Sequence, residues 1–290
     1  MAAVDSFQFL YKEIARTCSF YYDTLALVGA LYTASKAVIL LKKLLLTCQN
    51  GATPVALAYA EELARQGVSI IFITENPDAV RDIAASLPPT YGVETVVILA
   101  DFSSDQSALK LIQEAIRGKD IGFLINCVEE ALTQPQNFTE VSEVGLMQVV
   151  NKATTVMTLM TRLVLPGMLQ QSRGAVVNIS PGVCCRPLPG RVMLTASMGF
   201  LDHFSQALHL EYGGKGIFVQ SLIPFQIAST RGRIREGWFT PKPQVYVQHA
   251  ISTLGVSHRT SGYWPHTLQC GLINCIPDWM WVFGTRLFIS

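Results

Sequence analysis

Few residues of this chain have types and spacing that could do chemistry, and the clearest candidate is a cysteine pair. Cys184 and Cys185 are adjacent, and Arg186 follows them directly. A cation beside a thiol favours the thiolate, which is the nucleophilic form of cysteine. A structural role for both thiols is the alternative, and we favour it over a reactive site.

Metal chemistry and the common hydrolase chemistries have no motif in the sequence. The chain has seven cysteines, an odd number, and they form neither a C-x-x-C pair nor a zinc-ligand spacing. H-E-x-x-H, phosphate-loop and G-x-S-x-G motifs are absent as well. We therefore expect no metal site, and reduced thiols of the kind found in intracellular proteins.

The elements that must position any site alternate between short β-branched runs and helical stretches. Buried parallel strands are expected at 68–74, 95–100, 122–126, 175–180 and 217–223, with a weaker first-strand candidate at 44–48. Helices are expected at about 54–66, 77–87, 104–117, 140–171, 192–212 and 242–254. Repeating βα units of this kind predict an α/β fold with a single Rossmann-like, doubly wound parallel sheet and helices on both faces.

The composition excludes two broad classes of protein. Half of the 290 residues are apolar and only 15% are charged, which is incompatible with an intrinsically disordered chain. The 22 basic and 21 acidic residues leave a formal charge of +1, so there is no basic field to bind nucleic acid. The mean hydropathy of +0.32 is high for a freely soluble domain and favours contact with a membrane.

An apolar segment near the N-terminus is the first candidate for that contact. Residues 24–41 contain one charged residue, Lys36, and approach the ~20 residues that a membrane-spanning helix needs. No early basic region or small-residue cleavage site marks them as a signal peptide. A membrane anchor, an interfacial helix and a buried core helix all remain open, and in each case we expect an apolar N-terminal helix.

The C-terminal stretch 267–290 is also apolar, and it is rich in aromatic residues. Trp279, Trp281 and Phe283 lie close together, and such residues favour a membrane interface, with core packing as the alternative. We therefore divide the chain into an apolar, membrane-associating segment at 1–43, one domain at 44–265 and an apolar aromatic segment at 266–290.

Several short blocks within 44–265 are typical of one enzyme family. They are Asn50-Gly51-Ala52-Thr53 followed by AYAEELARQG, Ala100-Asp101-Phe102, Leu124-Ile125-Asn126, LVLPGM at 163–168, GAVVNIS at 174–180 and GIFVQSLIPF at 216–225. With these blocks the chain resembles the short-chain dehydrogenase/reductase family. The last block and LDHFSQAL at 201–208 are similar to its 17-beta-hydroxysteroid dehydrogenase/very-long-chain 3-ketoacyl-CoA reductase branch.

The resemblance implies a catalytic site of four residues. An active member uses a tyrosine to exchange a proton and a lysine four residues later to favour the ionised phenol and hold the nicotinamide ribose. A serine binds the substrate oxygen, and an asparagine holds a water. The Y-x-x-x-K spacing places the first two on one helix face. The matching positions of this chain are Ala153 (asparagine), Pro181 (serine), Leu194 (tyrosine) and Met198 (lysine). None of these side chains exchanges a proton, so the resemblance implies a vacant catalytic site.

Neighbouring polar residues do not restore this chemistry. None of them titrates near neutral pH, and they comprise Asn151, Ser180, Thr195 and Ser197. His203 follows Met198 on the same expected helix by five residues, which turns it about 140° away from that face. Tyr263 is the other side chain that could in principle be recruited. We expect His203 to be a packed or exposed helix histidine rather than a replacement acid.

The cofactor site that the resemblance implies is eroded. Family members carry T-G-x-x-x-G-x-G after the first strand, where the glycines let the backbone approach the pyrophosphate at a helix N-terminus. Here Pro54 and Ala56 stand at the second and third glycines, and only Gly51 remains. Proline lacks an N–H, and a β-carbon fills the space for close approach. Asp101 and Asn126 are the other remnants of the site.

Two acidic residues bear on which dinucleotide could still bind. Glu75 follows the second expected strand, where NADP-preferring members place an arginine. A carboxylate there repels the 2′-phosphate of NADP, although it could accept a hydrogen bond from the 2′-hydroxyl of NAD. Glu129 replaces a family glycine near the adenosine ribose and adds bulk and negative charge. We therefore expect no cofactor, or only residual binding of NADP or NAD.

These observations predict a catalytically inactive short-chain dehydrogenase/reductase-like protein, a pseudoenzyme used as a binding or scaffolding module at a membrane. The alternative is an NADP-dependent oxidoreductase that acts on hydroxysteroid or 3-ketoacyl-CoA substrates. A third hypothesis is a lipid- or acyl-binding protein, because Leu194, Met198 and Pro181 make the former substrate pocket more apolar.

The expected partners are membrane lipid, another protein, or a second copy that would form a homodimer through the long helices at 140–171 and 192–212. Neither nucleic acid nor a metal is expected. The resemblance implies a mitochondrial location, with the endoplasmic reticulum membrane as the alternative.

Overall fold

The computed structural model describes residues 43–48, 53–100, 107–127, 136–180, 186–228 and 235–289, of which 43–48, 107, 283 and 286–289 are described in their backbone alone. Several expectations from the sequence lie outside these residues. They are the N-terminal apolar helix at 24–41, the cofactor remnants Gly51 and Asp101, the acidic residue Glu129, the tetrad position Pro181, and the pair Cys184 and Cys185.

Within the described ranges, seven parallel strands form one sheet. They are β1 (Lys43–Cys48), β2 (Ser69–Thr74), β3 (Thr95–Leu99), β4 (Phe123–Cys127), β5 (Gly174–Ile179), β6 (Ile217–Leu222) and β7 (Arg259–Thr260). Their order is β3-β2-β1-β4-β5-β6-β7, and every neighbouring pair is parallel. The chain therefore winds outward from β1 in both directions, and the predicted doubly wound α/β fold is confirmed.

The first strand lies inside this sheet, third from the β3 edge, although its sequence signal is the weakest of the predicted strands. Leu45 in β1 stands opposite Ile71 in β2 on one side and opposite Leu124 in β4 on the other. The sequence analysis missed β7, because the two residues Arg259 and Thr260 are too few to show a strand pattern.

Helices cover both faces of the sheet. Those described are α1 (Pro54–Arg65), α2 (Asp78–Tyr91), α3 (Ser107–Ile116), α4 (Glu143–Val150), α5 (Val156–Gln170), α6 (Val192–Tyr212), α7 (Pro243–Ser252), α8 (Trp264–Cys275) and α9 (Asp278–Ile289). Short 3₁₀ turns lie at Phe138–Glu140 and Gly213–Lys215. Among the described residues, no helix is both long enough and apolar enough to cross a bilayer.

The core consists of one apolar layer on each face of the sheet, and strand alternation assigns residues to the two layers. In β2, Ile70 and Phe72 join the layer under α1 and α7, whereas Ile71 and Ile73 join the layer under α3 and α5. Successive strand residues point to opposite faces, so a strand that is covered on both sides is apolar throughout. This is why the predicted strands read as continuous β-branched runs.

Two predicted helices differ from the structure, and each difference has a local cause. Helix α2 continues past Pro88 and Pro89 to Tyr91 rather than stopping at residue 87, and it ends at Gly92, whose N–H donates to the Pro88 carbonyl over 2.9 Å. Each proline lacks the N–H that would donate to the carbonyl four residues earlier, but both lie near the end of the helix, so the turns before them keep their hydrogen bonds and only the last turn is weakened.

The predicted helix at 140–171 is divided into α4, a π-helical turn and α5. The π turn spans Asn151–Thr155. Thr154 Oγ1 donates to the Val150 carbonyl over 2.6 Å, and Thr158 Oγ1 donates to the Thr154 carbonyl over 2.8 Å. Such bonds from a side chain to the preceding turn compete with the helix backbone and bend it. The wider π turn carries the tetrad position Ala153, and π turns are frequent at functional sites.

Candidate functional site

Three of the four tetrad positions come together in the structure. Ala153, Leu194 and Met198 belong to one buried apolar cluster, and each is at most 2% exposed. Met157 and Leu201 complete this cluster, and Phe204 packs against it. None of these six side chains carries an ionisable group. The cluster therefore has no donor or acceptor for the proton transfer that the family's reaction requires.

Two helices supply the cluster. Leu194 and Met198 lie one turn apart on the buried face of α6, and the π turn brings Ala153 to the same place. Two hydroxyl groups near these positions in the sequence are also buried. Ser180 Oγ and Thr195 Oγ1 are buried and make no hydrogen bond in the described residues. A neutral hydroxyl can orient a substrate, but it does not act as a general acid or base near neutral pH.

A polar network lies between the sheet and helices α5 and α6. Asn126 Nδ2 donates to Asn178 Oδ1 over 2.8 Å and to Thr161 Oγ1 over 3.3 Å, and Asn178 Nδ2 donates to Ser205 Oγ over 2.8 Å. All four side chains are buried. The amide of Asn126, which the sequence analysis assigns to a cofactor remnant, therefore links β4 and β5 to α5. Its contact with a cofactor stays a prediction.

The start of α1, where the family binds pyrophosphate, is already capped by the chain itself. Thr53 Oγ1 accepts a hydrogen bond from the Ala56 N–H over 3.1 Å, and Pro54 occupies the first helical position. Thr53 Oγ1 also lies 3.0 Å from Cys127 Sγ. One N–H of the first turn is thus used internally, and the proline supplies none, which weakens an anion site at this helix end.

Glu75, at the carboxyl end of β2, has a partner that the sequence analysis did not identify. Lys152 Nζ lies 2.9 Å from Glu75 Oε2, and the two side chains are only 13% and 17% exposed. Glu75 Oε1 is buried and has no hydrogen-bond partner among the described residues. The ion pair joins the end of β2 to the π turn, next to Ala153. Because 77 positions separate the two residues, no sequence periodicity could have paired them.

Tyr59, His203 and Tyr263 do not belong to the apolar cluster. Burial raises the pKa of Tyr59 far above its ordinary value, with a further contribution from Cys127, so this phenol stays protonated. His203 is exposed on α6, which is one of the two placements expected from the sequence. The Tyr263 hydroxyl donates to the Trp238 carbonyl over 3.3 Å, outside the apolar cluster. Within the described residues, no three histidine, cysteine, aspartate or glutamate side chains are grouped to hold a metal.

The sequence of this chain matches a known protein family. The family model described as short chain dehydrogenase matches residues 49–236. A Danio rerio protein named "Inactive hydroxysteroid dehydrogenase-like protein 1" is 48% identical, over 99% of this chain and 99% of that protein. Its Homo sapiens counterpart of the same name is 42% identical, over 99% and 96%. The Homo sapiens "Very-long-chain 3-oxoacyl-CoA reductase" is 36% identical, over 78% of this chain and 73% of that protein.

Solved structures share the same fold. A bulky-bulky ketone specific alcohol dehydrogenase from Comamonas testosteroni superposes with a TM-score of 0.66 at 24% identity, over 82% of this chain and 96% of that one. A short-chain dehydrogenase from Sphingobium yanoikuyae in complex with NADPH gives a TM-score of 0.65 at 23% identity, over 81% and 96%. At this level of identity the likeness concerns the fold alone.

Proposed function

Because this chain belongs to the short chain dehydrogenase family, we propose that it is a member without oxidoreductase activity, used as a binding or scaffolding module at a membrane. The observation that carries the proposal is the apolar cluster of Ala153, Leu194 and Met198. An alcohol cannot be oxidised, nor a ketone reduced, at this place without a group that takes or gives a proton. The relatives named inactive, at 42% and 48% identity, support the same conclusion.

The proposal extends to the cofactor, for which we expect no tight binding. Thr53 caps the helix end that would receive the pyrophosphate, and Glu75 is held by Lys152 where the adenosine ribose would approach. Residual binding of NADP or NAD would have to displace or tolerate both arrangements. Lys152 offsets the charge of Glu75, so the carboxylate alone does not decide between the two dinucleotides.

A reductase that acts on hydroxysteroid or 3-ketoacyl-CoA substrates is the second candidate. Its support is the 36% identity to very-long-chain 3-oxoacyl-CoA reductase. The test of both candidates is NADPH oxidation by the unmodified, detergent-purified chain, with a steroid ketone and a 3-ketoacyl-CoA as substrates. The Homo sapiens reductase serves as the positive control. We expect no oxidation that depends on the protein, and turnover above the background of a mock purification would refute the pseudoenzyme.

Cofactor binding needs its own measurement, because a protein can bind a dinucleotide without using it. Thermal unfolding is followed with increasing NADPH or NADH. A ligand at a hundred times its Kd stabilises the native state by about 2.7 kcal/mol. We expect no saturable rise in Tm for either dinucleotide. A saturable rise with NADPH or NADH would contradict the expected loss of tight cofactor binding.

Location and self-association are further parts of the proposal. We place the protein at mitochondria, with the endoplasmic reticulum membrane as the alternative, and cell fractionation distinguishes the two. Exposed apolar residues on neighbouring helices support a homodimer, since α4 exposes Val144 and Met147 and α6 exposes Phe200 and Leu210. Measuring the molar mass of the detergent-solubilised chain tests this association.

A further inference from the structure

One exposed surface near the C-terminus is unusually apolar. It consists of Trp238, Phe239, Trp264, Leu268 and Leu272, whose exposed fractions lie between 36% and 62%, and we call it the aromatic face. Its last three residues are spaced four apart on α8, so they form one stripe along that helix. On its other side, α8 buries only Pro265 and His266. Large exposed apolar patches of this kind mark interaction sites.

Hydrogen bonds fix the aromatic face to the domain. The wholly buried ring of His266 accepts the Phe225 N–H at Nδ1 over 3.3 Å, and its Nε2 lies 3.1 Å from the Phe239 carbonyl. The hydrogen bonding assigns the ring proton to Nε2. The indole rings of Trp238 and Trp264 meet edge to face at 5.3 Å. The turn at Trp238 and the helix α8 are thus presented as one preformed surface.

The distribution of charge around this surface identifies its partner. The sequence from 260 to 277, which includes all of α8, contains no aspartate, glutamate, lysine or arginine. Among the described residues next to Trp238, Arg235 is exposed, and Lys242 pairs with Glu236 over 3.3 Å. An uncharged stripe with tryptophans beside such cations complements the acyl boundary and the anionic headgroups of a bilayer.

Helix α9 also exposes several apolar side chains, and one of its tryptophans is hydrogen-bonded to the domain. Trp281 Nε1 donates to the Pro187 carbonyl over 2.9 Å, and the Arg186 guanidinium lies over its ring. Trp279, Met280 and Val282 are exposed on other sides of the helix. The domain therefore holds α9 through Trp281 and leaves Trp279, Met280 and Val282 exposed.

We infer that the aromatic face docks onto an anionic lipid bilayer and inserts its side chains at the boundary between headgroups and acyl chains. This inference rests on the membrane part of the proposed function and is independent of the loss of catalysis. It assigns the contact to a folded surface of the domain, in addition to any contribution from the N-terminal apolar segment.

Tryptophan fluorescence tests the docking directly, because the chain has four tryptophans and all of them lie between 238 and 281. The full chain is mixed with vesicles of phosphatidylcholine and phosphatidylserine whose acyl chains carry bromine, which quenches nearby indoles. We expect strong quenching. Insertion of residues 24–41 cannot produce this signal, since they contain no tryptophan. Protein that floats with the vesicles while its emission stays unquenched would overturn the inference.

A double variant, Leu268→Ser with Leu272→Ser, tests the stripe itself. Each Leu→Ser change is expected to raise the lipid concentration that gives half-maximal quenching about tenfold, because one leucine less is buried in the bilayer. Leu111→Ser is the matched control, because Leu111 is a comparably exposed leucine on α3, and its quenching should equal that of the unmodified chain. Equal quenching of the double variant and the control would overturn the assignment of this surface.

The choice of lipid and the state of association complete the test. Vesicles of phosphatidylcholine alone are expected to quench much less, and equal quenching would refute the role of anionic headgroups. If the double variant changes a dimer into a monomer and neither protein is quenched, the surface binds a second copy instead, which overturns the lipid assignment.

NADPH turnover is measured separately, so activity in that assay would refute the pseudoenzyme without affecting this result.

Discussion

At the scale of single residues, the predicted tetrad positions Ala153, Leu194 and Met198 are part of the packed interior. Leu194 and Met198 lie beside Ala153 with almost no exposed surface, where an active family member needs a phenol and an ammonium group. An ammonium group placed among hydrocarbon side chains loses its hydration and gains no partner there. The apolar side chains at these positions therefore add packing between α6 and the π turn.

The substitution Met198→Lys tests whether position 198 belongs to the dry, apolar interior of the protein. We expect the free energy of unfolding to fall by roughly 2–5 kcal/mol, because the new charge is buried without a partner. Met198→Leu conserves the apolar volume and should cost less than about 1.5 kcal/mol. Urea unfolding of both variants makes the comparison. A lysine variant as stable as the leucine variant would show that water or a counter-charge reaches this position, as in a working site.

The Glu75–Lys152 ion pair is the second feature at this scale. In a double-mutant cycle of Glu75→Gln and Lys152→Met, we expect a coupling energy of about 1–3 kcal/mol, because both side chains are largely buried and poorly screened. The exposed pair Asp78–Arg81 is the matched control, and its coupling should be about 0–1 kcal/mol. Chemical denaturation of each set of variants gives the energies. Equal coupling in the two cycles would mean that burial adds nothing to the first pair.

At the scale of elements, the joint between α6 and β6 shows how the backbone holds the site's main helix against the sheet. The chain turns through Gly213–Lys215 and enters β6 after Gly216, which has a φ of 84°. A β-carbon on Gly216 would collide with the Ser172 carbonyl oxygen, so the position is restricted by space as well as by conformation. Glycine at this position therefore lets the turn before β6 pass close to the Ser172 backbone, which connects α5 to β5.

Gly216→Ala is expected to destabilise the fold by more than about 2 kcal/mol, since the left-handed backbone and the collision both oppose a side chain. Gly214→Ala in the same turn is the control, because a β-carbon there meets nothing within 4 Å. It should be neutral within about 1 kcal/mol. Tm values of the two variants provide the test, and similar losses in both would mean that the turn relaxes around either side chain.

At the scale of the whole molecule, two histidines link stability to pH. Burial lowers the pKa of His266, and it lowers the pKa of His209, where the stacked ring of His258 at 4.9 Å adds to the effect. Each folded-state pKa therefore lies below the ordinary value of 6.5, and the unfolded chain binds more protons in mild acid. Above pH 6.5, the stability that these two histidines contribute is fully present. It is lost as the pH falls below 6.5 towards their folded-state pKa values.

We accordingly expect the urea midpoint to decline as the pH is lowered from about 8 to about 5, with the decline beginning near the ordinary histidine pKa. His209→Asn should flatten this pH dependence, because it removes one of the two groups. His203→Asn replaces an exposed histidine of the same helix and should leave the profile unchanged. A profile that His209→Asn does not alter would assign the acid sensitivity to other groups.

The architecture of the molecule could be predicted because its signals are local. Buried β-branched runs and intervening helical stretches recur along the chain, and the interior strand β1 was predicted even though its signal was weak. The ends of α2 and the division at Asn151–Thr155 were not predicted, since proline position and threonine back-bonding act through details of single turns. The strand β7 was missed because two residues carry no periodicity.

The sequence by itself determined that Leu194 and Met198 share one face of a helix, because a spacing of four residues is close to one helical turn. It also predicts that Pro54 and Ala56 stand where the family has glycines, which can be read position by position. Only the tertiary structure decided that Ala153 packs against those two side chains, that Lys152 meets Glu75, and that Trp238 meets Trp264. Contacts between distant parts of a chain depend on how whole elements pack, and a local pattern carries no record of that packing.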